Sequence, residues 1–110
     1  MGRNGNINKN TQDIQSSLKR ATILFKRGDF KGCVEECDTA IKQGYKNGKI
    51  YNLEAIALAQ LQCYDEAMDA IIEAIKLDPT NKKYSMNRDL IIRKISTISQ
   101  MSTYEWVFNL

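Results

Sequence analysis

The residues that could do chemistry are few. Cys33 and Cys37 stand one helical turn apart, a spacing at which two thiolates can grip a metal or cycle as a redox pair, and Cys63 stands alone. Histidine is absent. That removes the commonest general base and metal ligand, the imidazole of a Ser/His or Cys/His nucleophile, and the nitrogen half of every Cys/His zinc set. A reactive thiol needs a cationic or helix-start neighbourhood to hold its thiolate, whereas Glu35, Glu36 and Asp38 supply the opposite charge. Core packing is the reading that fits Cys33 and Cys37. The acidic residues Asp65, Glu66, Asp69 and Glu73 lack the alternating loop geometry of a calcium site and read as a solvated helix face. The basic set Lys82, Lys83, Arg88, Arg93 and Lys94 has neither interleaved stacking aromatics nor a glycine-rich loop, and reads as solubilising surface. No catalytic, cofactor-binding or metal-ligating residue is expected, and the chain is not expected to be an enzyme.

Composition points the same way. The 110 residues have room for one domain, and 43% hydrophobic, 26% charged and a single proline describe a folded helical chain. The formal charge is +3, spread as +3 over residues 1–20, +1 over 21–47, −4 over 48–81 and +3 over 82–110. So weak a field argues against nucleic acid, and no window reaches the roughly 18 apolar residues of a membrane span. An odd cysteine count without a secretory signal predicts a reducing, cytoplasmic setting. Met1-Gly2 begins like a myristoylation signal, but Asn6 stands where Ser or Thr is required.

The elements that must position any site follow from periodicity. Residues 1–10 carry no apolar pattern and read as a mobile arm. From Thr11, a candidate N-cap, Ile14, Leu18, Ala21, Leu24 and Phe25 recur at helical spacing up to Gly28-Asp29. A second helix carries Phe30, Cys33, Val34, Cys37, Ala40 and Ile41 on one face, and Gly44 to Gly48 end it. A third runs from Ile50 to Leu61 and a fourth from Tyr64 to Leu77, where Asp78-Pro79-Thr80-Asn81 stops one helix and can cap the next. The fifth, from Tyr84 past Ile98, has no internal breaker.

Shifting the chain by 34 residues superposes Ala21 on Ala55, Leu24 on Leu58, Phe30 on Tyr64, Cys33 on Ala67, Cys37 on Ile71 and Ala40 on Ala74. A two-helix unit of this period resembles the tetratricopeptide repeat, whose signature is W-x₂-L-G-x₂-Y, then A-x₃-F, then P. The second unit answers it with Tyr51-x₂-Glu54-Ala55-x₂-Leu58, Ala67-x₃-Ile71, Ala74 and Pro79; the first with Ser17-x₂-Arg20-Ala21-x₂-Leu24, Cys33-x₃-Cys37 and Ala40, with Tyr45 in the proline's place. Ser17 and Arg20 depart from the signature and predict a loosely packed start. The resemblance implies an all-α, right-handed superhelical array of helix-turn-helix units over 11–102: repeats 14–47 and 48–81, a capping helix 82–102, and an aromatic tail 103–110.

In repeats of that kind, first helices line a groove for a peptide. The 34-residue step places Leu18, Thr22, Lys49, Asn52, Leu53, Ile56, Lys83, Met86, Asn87 and Leu90 there. Members that clamp a terminal carboxylate use Lys and Asn, then Asn, then Lys and Arg; the positions here hold Leu18, Thr22, Leu53, Lys83 and Asn87, of which Lys83 alone agrees. The apolar floor instead suits a helix or apolar segment. Tyr104, Trp106, Phe108 and Leu110 would fold back on the cap or enter a partner. The expected function is a scaffold or adaptor for a protein or peptide ligand, probed also as a homo-oligomer or part of a larger complex. An RNA-binding helical repeat is the alternative, and a cysteine-based metal or redox protein the third reading.

Overall fold

The computed structural model describes the backbone of residues 15–109 and the side chains of residues 15–97. The expected arm 1–10, Thr11 and Ile14 lie outside the described residues. The fold is an all-α helical repeat: α1 covers 15–26, followed by α2 (Phe30–Lys42), α3 (Gly48–Gln60), α4 (Tyr64–Leu77) and α5 (Lys82–Asn109). The last helix passes the expected boundary at 102, because no glycine or proline interrupts it before Asn109. Residues 103–109 therefore extend α5 in their backbone.

The helix ends show the 34-residue frame in atomic detail. Gly28 N–H donates to the Phe25 carbonyl at 3.0 Å and Asp29 N–H to Leu24 at 2.9 Å; Gln62 N–H donates to Ala59 at 3.0 Å and Cys63 N–H to Leu58 at 2.9 Å. Both are the paired bonds of a Schellman cap, which satisfies carbonyls a helix end leaves open. The cap needs a left-handed residue. Glycine supplies it at Gly28 (φ 81°), but Gln62 adopts it with a side chain (φ 65°). Helix starts are equally local in origin: the Asp29 carboxylate accepts from Gly32 N–H at 2.9 Å, Asn47 Oδ1 from Ile50 N–H at 3.0 Å, and Asn81 Oδ1 from Lys83 N–H at 3.0 Å.

Packing then follows from small residues at close crossings. One core joins α1, α2 and α3 through Ala21, Cys33, Cys37, Ala40, Ile50, Leu53 and Ala57; a second joins α3, α4 and α5 through Ala55, Leu58, Ala67, Ala70, Ile71, Ala74, Tyr84 and Ile91. Helix α3 belongs to both and is buried on opposite faces. Tyr84 seats its ring over Gly48, where a Cβ would stand 3.0 Å from the ring. The start of α1 is not loose: Ser17 is buried and Arg20 Nη2 donates to its Oγ at 3.4 Å.

Candidate functional site

Three first helices, α1, α3 and α5, present one side of the molecule. Asn87 Nδ2 donates to Asn52 Oδ1 at 2.8 Å and so pins α5 to α3. On one side of this bond along the helices lies a hollow of about 530 Å³ lined by Leu18, Asn47, Lys49, Asp78 and Tyr84, among others. On the other lies a groove of about 340 Å³ lined by Ile56, Gln60, Tyr64, Asn87, Leu90 and Lys94, among others.

The residues expected to form a binding groove divide by depth. Met86 is 63% and Leu90 52% exposed, which leaves apolar surface of both in water. Leu18 and Ile56 are half-buried against the first core, Thr22 turns its hydroxyl back onto the Leu18 carbonyl at 2.7 Å, and Lys49 and Lys83 are exposed. Leu53 differs. At 8% exposure it belongs to the core, because it packs in the cluster that α1 and α2 form with α3. Of the tail residues, the side chains of Tyr104, Trp106 and Phe108, and all of Leu110, lie outside the described residues.

The opposite side is a cleft between α2 and α4, whose Cα atoms stay more than 8 Å apart with α3 as the floor. Its volume is about 210 Å³, and Asp38, Glu54, Glu66, Asp69 and Glu73 line it together with Val34, Tyr51, Leu58 and Ala70. Glu66, Asp69 and Glu73 are thus not merely spread over an outer face, as their sequence suggests; they form one wall. Glu54 is 7% exposed, and its Oε2 meets no hydrogen-bond partner among the described residues. Burial, and then the neighbouring Asp38 carboxyl, push the Glu54 carboxyl up to about 9. One signal in the sequence marks it: Glu54 occupies the leucine of the repeat signature.

The cysteines behave as core residues. Cys33 and Cys37 are buried, and Cys37 is pushed far above the ordinary thiol range by its hydrogen bond to Cys33 and by burial. Among the described residues no three of His, Cys, Asp and Glu are grouped to hold a metal ion.

Comparison with known proteins places this architecture. Residues 48–81 match the family model of the tetratricopeptide repeat. That segment is similar to a tetratricopeptide repeat. The repeat's fold extends to its neighbours in the chain: the second TPR of Spaghetti (RPAP3), solved with an HSP90 peptide, SRMEEVD, superposes with a TM-score of 0.74 at 24% identity, covering 93% of this chain and 95% of that one. The C-terminal TPR-containing domain of an FK506-binding protein of Plasmodium falciparum superposes with a TM-score of 0.77 at 21% identity, covering 84% of this chain and 61% of that one. In sequence, human Superkiller complex protein 3 is 26% identical over 69 residues, which is 63% of this chain. The chain spans 4% of that relative's length.

Proposed function

We propose that this chain is a non-enzymatic protein-binding module that holds an apolar helix or extended segment of a partner along α1, α3 and α5. The observation that carries the reading is the exposure of Leu90 in the wall of the 340 Å³ groove, which Ile56 and Lys94 also line, with exposed Met86 one turn earlier on α5. Covering such side chains releases roughly 25 cal/mol per Å² of apolar area removed from water, so an apolar segment gains where a polar one does not. A tetratricopeptide domain of like fold holds a peptide, which supports the same use here. A carboxylate clamp does not suit this face: Leu53, at one of its positions, is buried, and Leu18 and Thr22 offer no charge. We place the chain in the cytoplasm, as two repeats and a cap within a larger assembly or a homo-oligomer; no described helix is long and apolar enough to cross a membrane.

The test is selection from a displayed library of random peptides, followed by measured affinity for the parent and for Ile56→Glu and Leu90→Glu. Selected peptides should be rich in apolar residues, and each substitution should weaken them at least about tenfold with helicity retained. Peptides that bind the double variant as well as the parent overturn the reading.

A further inference from the structure

The cleft between α2 and α4 is built around a group that a purely structural repeat has no use for. The signature places leucine where Glu54 stands, and leucine would fill the floor without a polar atom. Instead a carboxyl more than nine-tenths buried lines a cleft with four further carboxylates on its walls, and its Oε2 has no hydrogen-bond partner among the described residues. A buried carboxylate is retained only with a proton or a cation to compensate it. Among the described residues none of Asp38, Glu54, Glu66 and Asp69 makes an ion pair with Lys or Arg, and Glu73 reaches Lys76 only at 3.4 Å. The contrast with the first unit is informative, since Arg20, 34 residues earlier, finds its counter-charge in Glu36 at 2.7 Å.

We propose that this cleft is a second binding site, on the side away from the apolar groove, which receives an arginine side chain of a partner protein with Glu54 and Asp38 as its anion pair. Charge complementarity sets the sign of the ligand: five carboxyl groups and no cationic side chain line the cleft, and the repeat 48–81 bears −4 in a chain of +3. The walls set its shape. A planar guanidinium donates in a fork to carboxylates, is weakly hydrated, and lies against apolar or aromatic surface, which Val34, Leu58, Ala70 and the Tyr51 ring provide. A metal ion fits less well, because these carboxylates are not grouped within its coordination reach. On arrival of arginine the Glu54 carboxyl gives up its proton to solvent and the guanidinium takes its place; Asp38, Cys33 and Cys37 on α2, Tyr51 on α3 and Glu66 on α4 are the other titratable groups that face it.

The test is a titration of the isotope-labelled full chain, followed by amide chemical shifts, with N-acetylarginine amide as probe. N-acetylcitrulline amide serves as its neutral counterpart and magnesium chloride as the competing cation. The expected result is saturable shifts confined to residues 34–38, 51–58 and 66–73, absent with citrulline, and an affinity that rises with pH as the Glu54 proton is lost. Glu54→Leu should weaken the binding at least about tenfold. Asp38→Asn, at an exposed position that leaves the core intact, should weaken it too. Absence of saturable shifts, equal shifts with citrulline, undiminished binding in both variants, or saturation of the same residues by magnesium in arginine's place would overturn the proposal. None of these results bears on the groove of α1, α3 and α5.

Discussion

The unit α1–α2 and the unit α3–α4 share a frame of 34 residues and differ in what surrounds it. Helix α3 is packed by α2 on one flank and by α4 and α5 on the other, whereas α1 shares a single core with α2 and α3. Equivalent positions therefore have unlike fates. Arg20 lies on an outer flank and keeps its guanidinium in water beside Glu36; Glu54 is carried into the interior by neighbours on both sides. In a repeat the signature states which way a side chain points, and the next unit decides whether it is buried.

The largest effect expected from this comparison lies at the position held by Ile71 in the second unit and Cys37 in the first. Both are fully buried. Ile71→Ala removes more volume from the more enclosed core and should cost about 2–5 kcal/mol, whereas Cys37→Ala should cost about 1 kcal/mol. Chemical denaturation of the two variants checks the order, and a reversal would mean that the first unit is the better packed.

Next in size is overfilling. Ala55→Leu forces three side-chain-bearing elements apart and should cost about 1–3 kcal/mol, read as a lowered melting temperature, while Ala21→Leu should cost less because α1 can yield outward.

Glu54→Leu acts in the opposite direction. It should stabilise the chain at neutral pH by about 1–3 kcal/mol, since an unpartnered buried carboxyl is removed, while Arg20→Leu should leave stability nearly unchanged. The pH dependence carries its own sign. The folded chain holds the Glu54 proton up to about 9, against an ordinary value of 4.5, so between these values the unfolded chain binds fewer protons. Stability therefore falls through that window as pH rises, and Glu54→Leu should abolish this part of the slope. A parent and variant with parallel pH profiles would show that Glu54 is solvated.

The smallest effect is at the turns. Gln62→Gly relieves a left-handed side-chain conformation at a matching entropic cost and should shift stability by less than about 1 kcal/mol, whereas Gly28→Ala should lose about 1 kcal/mol. Melting curves of the two variants check this.

The period, the turn glycines, the cap at Asn81 and the alanines of the crossings are legible in the sequence, because each is a local requirement of a helix end or a close approach; the cap at Asn47 is seen only in the structure. Leu53 and Glu54 are not. Their periodicity places them on a first helix, but burial comes from neighbouring helices, α1 and α2 for Leu53 and α2 and α4 for Glu54, which the local pattern does not represent. Ser17 is hidden for the same reason: its loose appearance reflects the signature's preference for an aromatic ring, whereas the structure buries it and gives its Oγ a hydrogen bond from Arg20. Exposure at Met86 and Leu90 could be expected from the frame, since the unit that would cover a second helix is replaced by the uninterrupted α5.

The most direct measurement is a map of amide shifts on the labelled chain with an apolar peptide selected by binding. The shifts should centre on residues 56–60, 64 and 87–94, the lining of the groove between α3 and α5, and vanish in Leu90→Glu. Shifts centred on residues 34–38 and 66–73, or retained in Leu90→Glu, would contradict binding there.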